Sequence, residues 1–100
     1  DFDVPVLPTI LEMHERLDGS GYPNGKSGAE ISLAGRILAV ADVFCARIEA
    51  RSYRPGISPA EALAVLEQNA TRYDPDVVRA LREVASSVAG EKVLAGAAAA

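Results

Sequence analysis

Apolar residues recur at helical spacing in four places along the chain and nowhere alternate as a half-buried strand would. The clearest run covers 33–50, where Leu33, Ile37, Val40, Phe44 and Ile48 follow at steps of three or four and make one buried stripe. Ser32 stands before it as an N-cap. Ser58-Pro59-Ala60-Glu61 joins a capping-box Ser, a Pro at the first helical position and a Glu three residues after the Ser. It predicts a helix over 59–69 with Ala62, Leu63 and Leu66 inward. Asp74-Pro75 opens another in the same manner, with Val77, Val78, Leu81, Val84 and Val88 along its face. Earlier in the chain, residues 8–16 read as a short helix with Pro8 in its first turn. Ile10, Met13 and Leu17 form one of its stripes, and Leu7, Leu11 and His14 its neighbour. The end, GEKVLAGAAAA, is low in complexity and is expected to extend the last helix weakly or to fray. The pattern predicts an all-α fold of about four helices over 1–88, followed by an Ala-rich tail over 89–100.

The first two helices are joined by a loop over 18–31. Four of the eight glycines of the chain fall within MHERLDGSGYPNGKSG, residues 13–28. Such a stretch is either a flexible surface turn or a structured lid whose backbone closely approaches a ligand or partner. Tyr22 followed by Pro23 favours a ring held in place.

Composition narrows the function classes. The length of 100 residues allows one small domain, and the 49% apolar share is enough for a core. A net charge of -4 gives no reason to expect a nucleic acid polymer as partner. The single cysteine, Cys45, excludes an intramolecular disulfide and fits a cytoplasmic location. No apolar run reaches the roughly 18 residues of a membrane span. The start, DFDVPVLPTI, has no basic n-region and reads as an entry in mid-fold, so the chain is expected to be a piece of a larger protein.

Asp42 is the most informative residue. It is the only polar side chain in LAVADVFCA, and its helical neighbours Leu38, Ala39, Cys45 and Ala46 offer it no partner. A carboxylate so placed needs a metal ion, an arginine or a backbone donor from elsewhere in the fold. His14, the only histidine, is a second candidate; imidazole with carboxylate suits iron or manganese, although a histidine at a helix end more often packs or caps. Glu15 beside it reads as surface charge. Arg47, Arg51 and Arg54, spaced four and three apart, would either bind a phosphodiester or complement a helix end. Tyr53 would stack on a base or simply pack. Cys45, three residues after Asp42, has no general base near it in sequence and reads as a small hydrophobe.

HERLDGSGYPNGKSGAEISLAGRILAVADVF, followed by RSYRPGISPAEAL and YDPDVV, closely resembles the second half of the HD-GYP domain over roughly residues 7–82. HD-GYP domains belong to the HD superfamily of metal-dependent phosphohydrolases. The resemblance implies an all-helical, partial HD-type fold in a bacterial signalling protein. It also implies hydrolysis of cyclic di-GMP at a centre of two or three metal ions, commonly iron or manganese. Gly21, Tyr22 and Pro23 match the name-giving motif, in a loop that also serves partner contacts. His14 matches the second histidine of a His-His-Glu motif and Asp42 the metal-binding aspartate. Tyr22, Arg51 and Arg54 match positions that contact the dinucleotide.

The sequence also departs from that pattern. Met13 stands where the first histidine belongs, Cys45 replaces an aspartate and Ser52 a proline. The chain contains no His-Asp dipeptide. A two-metal centre needs several ligands per ion, so the chain is expected to be inactive alone. Two readings follow: a fragment of an HD-GYP phosphodiesterase, or a degenerate module that binds cyclic di-GMP or a diguanylate cyclase-type domain. A helical packing domain without a ligand is the third, and the isolated Asp42 and the glycine-rich loop count against it. Apolar helix faces left uncovered predict self-association.

Overall fold

The computed structural model describes residues 6–50 and 52–99, with side chains for all of these except 88, 89 and 97–99. Among them the regular structure is entirely helical: α1 (Val6–Glu12), a 3-10 turn (Gly28–Glu30), α2 (Leu33–Ile48), α3 (Pro59–Gln68), α4 (Pro75–Ala85) and α5 (Val88–Ala99).

Local caps set the helix starts. The Ser32 hydroxyl accepts from the Gly35 N–H and opens α2. Ser58 and Glu61 form the reciprocal capping box of α3, at 3.1 and 3.2 Å. Asp74 accepts from the Asp76 N–H at 2.9 Å and opens α4, and its second oxygen takes the Arg36 guanidinium of α2 at 3.0 Å. The cap of α4 therefore also ties α4 to α2.

The core lies where α2, α3 and α4 meet. Val40, Phe44 and Ile48 of α2 pack with Ala62, Leu63 and Leu66 of α3, with Tyr73, and with Val78 and Ala85 of α4. Three residues expected on buried faces are exposed. Leu33 and Ile37 continue the stripe of α2 but are 56% and 49% exposed, because only the later turns of α2 run beneath α3 and α4. Val84 on α4 is exposed as well. Together with Val77, Ala80 and Leu81 these residues line an open apolar groove between α2 and α4. The exposed Val6, Leu7, Ile10 and Leu11 give α1 an uncovered apolar face too.

The Ala-rich stretch lies in a helix of its own, α5, rather than in an extension of α4. The Ser87 hydroxyl donates to the Val84 carbonyl at 2.6 Å and accepts from the Gly90 N–H at 3.0 Å, breaking the chain direction and starting α5. Leu94 of α5 packs back on the core. No helix among the described residues is long and apolar enough to cross a membrane.

Candidate functional site

The first helix ends at Glu12, before His14. The carbonyls that would have continued it are used otherwise. Those of Met13 and Glu15 accept from the Arg16 guanidinium at 3.1 and 2.9 Å, and that of His14 accepts from the Tyr22 N–H at 3.1 Å. The expected helix over 8–16 is therefore shorter, and His14 sits on a turn against which the Gly-Tyr-Pro loop folds.

Gly21 makes that approach possible. A Cβ at this position would collide with the His14 carbonyl and come within 2.7 Å of the Arg16 nitrogen and the Glu15 Cα. Backbone packs directly on backbone here, which accounts for the glycine at 21, whereas Gly19, Gly25 and Gly28 take left-handed φ values. The next peptide bond but one, Tyr22–Pro23, is cis. The Tyr22 ring stacks on the His14 imidazole with centroids 4.9 Å apart and planes 16° from parallel.

Two carboxylates hold the loop. Glu15, expected to be surface charge, is only 2% exposed. Its Oε2 accepts from the Asn24 N–H at 3.0 Å and its Oε1 from the Lys26 N–H at 2.9 Å. Glu15 gives each of these two loop amides a charged acceptor. Glu12, also buried, accepts from the Ser32 hydroxyl and N–H at 2.5 and 3.1 Å and from the Lys26 ammonium at 3.3 Å. Burial raises the Glu12 pKa, but the Ser32 hydrogen bonds and the Lys26 charge together outweigh it and hold the carboxyl below its ordinary value. Glu12 carries no sequence expectation, and Glu15 is expected at the surface. The available signal was two carboxylates immediately ahead of a stretch whose amides lacked partners.

The lower end of the loop is fixed as well. Leu17 donates its N–H to the Arg72 carbonyl, and Gly28 donates to that of Leu17, at 2.9 and 3.0 Å. Arg16 lies over the Tyr73 ring, 5.1 Å from its centroid. Arg72 and Tyr73 thus buttress the loop, the first through its backbone carbonyl and the second through its ring.

Asp42 lies midway along α2, half-buried, and accepts no hydrogen bond and forms no ion pair among the described residues. One turn further on, the Arg54 guanidinium donates to the Ala46 carbonyl at 2.6 Å and to that of Pro55 at 3.3 Å. It closes the C-terminal end of α2, as a cation there should. Tyr53 is exposed beneath the same guanidinium, with 5.8 Å from guanidinium carbon to ring centroid. Arg47 is exposed, and Arg51 lies outside the described residues. Cys45 is exposed rather than buried; desolvation, with the nearby Glu49 and Asp42 charges, pushes its thiol pKa above the ordinary value.

The fold brings His14 and Tyr22 together with Gly21 and Pro23, and no hydrogen bond links Asp42 to any of them. Among the described residues no three His, Cys, Asp or Glu side chains are grouped so as to hold a metal ion. His14 and Asp42 offer two donors, fewer than a divalent iron or manganese centre requires. The described side chains do not by themselves fit the metal centre that the sequence resemblance implies.

A model of the HD domain matches residues 2–77. The 3'3'-cGAMP-specific phosphodiesterase 3 of Vibrio cholerae is 46% identical over 71 residues, which are 70% of this chain and 15% of that protein. The cyclic di-GMP phosphodiesterase response regulator RpfG of Xanthomonas campestris is 50% identical over 72 residues, 71% of this chain and 19% of that protein. A cyclic di-GMP phosphodiesterase of Thermotoga maritima is 39% identical over 89 residues, 84% of this chain and 24% of that protein. The chain therefore spans less than a quarter of the length of each of these relatives.

Proposed function

The chain belongs to the HD-domain family, and on that premise we propose that it is the loop-bearing part of an HD-GYP-type phosphodiesterase module for cyclic dinucleotides. The observation that carries this reading is the ordered Gly21–Pro23 loop with Tyr22 stacked on His14. In a complete module His14 and Asp42 would donate to iron or manganese. That ion would supply polarisation of a phosphodiester. Tyr22, with 62% of its surface exposed, offers a ring face at the same place. Arg51 and Arg54 would hold phosphate, and for Arg54 this means leaving the Ala46 carbonyl. The remaining donors must come from another segment or another chain, so the isolated chain is inactive in hydrolysis.

A second reading is favoured by Met13 and Cys45. A thioether and a thiol with a raised pKa replace an imidazole and a carboxylate of the family pattern. A module with these changes would bind a cyclic dinucleotide, or a diguanylate cyclase-type domain, without cutting anything.

Metal content by plasma mass spectrometry, with Asp42→Ala as control, is the deciding measurement. Stoichiometric iron or manganese that is lost in the variant supports donation by Asp42, and hydrolysis of cyclic di-GMP becomes the next assay. No metal above background even when the remaining donors are supplied, by the longer protein or by a second chain, sinks the phosphodiesterase reading and leaves the binding module. Equilibrium dialysis with cyclic di-GMP then tests that module.

A further inference from the structure

The buried carboxylate of Glu15 has no part in the chemistry proposed above, and its contacts define a different task. Its two oxygens divide their acceptance between the Asn24 and Lys26 amides, one and three residues beyond Pro23. On the other side of the same segment, the Tyr22 N–H is held by the His14 carbonyl, and Gly21 rests on the backbone of residues 14–16. Lys26 is gripped twice, by Glu15 through its amide and by Glu12 through its ammonium. The Tyr22 backbone is thus clamped before and after the ring, and the exposed ring is directed onto the imidazole instead of turning in solvent.

We propose that Glu15 is a positioning residue that sets the orientation of the His14 imidazole by pinning the Gly21–Pro23 loop, so that Tyr22 stacks on it. The proposal rests on the reading of His14 as a donor only for its functional meaning; the geometry stands without it. A carboxylate suits the task because both oxygens accept. A glutamine keeps the volume but turns one acceptor into an NH2 group facing an amide N–H, so one of the two contacts becomes repulsive. The neighbouring His14 ring, which makes no hydrogen bond among the described residues, then loses the surface that fixes its plane.

His14 is the only histidine, so its two ring C–H signals in a proton–carbon correlation spectrum are unambiguous in the full 100-residue chain. The spectra are recorded without metal or nucleotide, at a pH where the imidazole is neutral in every variant. Stacking on Tyr22 shifts these signals, and Tyr22→Leu defines their unstacked position. Glu15→Gln is expected to move them most of the way to the Tyr22→Leu position while the Phe44 and Leu66 signals of the core stay in place. His14 signals that remain at the wild-type position in a folded Glu15→Gln chain overturn the proposal. Should that variant fail to fold, amide exchange in the unaltered chain decides. Protection of the Asn24 and Lys26 amides to the level of the Tyr22 amide supports the clamp, and exchange at open-loop rates overturns it. Because neither readout involves metal, a chain that binds none still tests the positioning role. Loss of metal in Asp42→Ala leaves that role untouched.

Discussion

The Tyr22 ring lies on the His14 imidazole, 4.9 Å between centroids and 16° from parallel, although seven residues of chain separate the two. The contact depends on a backbone approach at Gly21 that only a residue without a Cβ allows.

Gly21→Ala should therefore lift the loop. The added methyl meets the His14 carbonyl, a backbone atom that cannot rotate away. Overpacking of this kind costs about 1–3 kcal/mol. Urea unfolding should show a lower midpoint with unchanged slope, and the His14 ring signals should move toward the Tyr22→Leu position. A midpoint equal to wild type would mean that the loop stands off from residues 14–16.

Leu66 and Ile37 separate the core from the open groove. Leu66 is fully buried, and Leu66→Ala should cost about 2–5 kcal/mol, a large part of the roughly 5–15 kcal/mol of a typical domain. Ile37→Ser removes an exposed side chain and should change stability by no more than about 0.5 kcal/mol. If the groove drives self-association, the same substitution lowers the sedimentation coefficient at high concentration. Equal destabilisation by both changes would contradict the placement of the core.

The Glu67–Arg82 pair joins α3 to α4 through two hydrogen bonds, at 2.9 and 2.6 Å. The Arg82 contact lowers the Glu67 pKa below its ordinary 4.5. A lowered folded-state pKa means that the contribution is fully present above about pH 4.5 and is lost as pH falls through the folded value. Glu67→Gln should flatten the stability profile in that acid window and leave its shape above pH 6 unchanged. The effect is small and shrinks with salt, because both groups are exposed.

Cys45 should be accessible yet slow. Its exposed sulfur admits a maleimide, but the raised pKa keeps the thiolate fraction low near neutral pH. Asp42→Asn removes one of the charges that raise it and should speed labelling modestly at pH 7.5. An unchanged rate would show that Asp42 does not act on the sulfur.

The starts of α2, α3 and α4 were legible in the sequence because capping is local: Ser32, Ser58 and Asp74 each bond to an amide two or three residues ahead. The Ser87 start of α5 has the same chemistry, but the Ala-rich composition masked it. Exposure was harder to read. The stripe from Leu33 to Ile48 gives the side of α2 that faces inward, not how much of it the neighbours cover. His14 and Tyr22 could be singled out as residues but not as a stacked pair, since that contact is made by Gly21 and Glu15. Glu15 itself read as surface charge because its acceptors' partners are backbone amides, which no side-chain pattern announces. The expected Arg51 position falls outside the described residues.

Helix α2 is tethered at both ends, by the last residue of α1 at its start and by the loop that follows it at its end. Glu12 grips its first residues through Ser32, and a Cβ on Gly35 would meet the Glu12 side chain. At the far end Arg54 and the Ile57 N–H hold the Ala46 and Arg47 carbonyls. The helix then behaves as a ruler with stops at both ends, and Asp42 is a mark on its scale. One residue inserted between Gly35 and Asp42 would turn that mark by about 100° against the first stop while preserving the second. The length of α2, no less than the identity of residue 42, is therefore part of what aims the carboxylate.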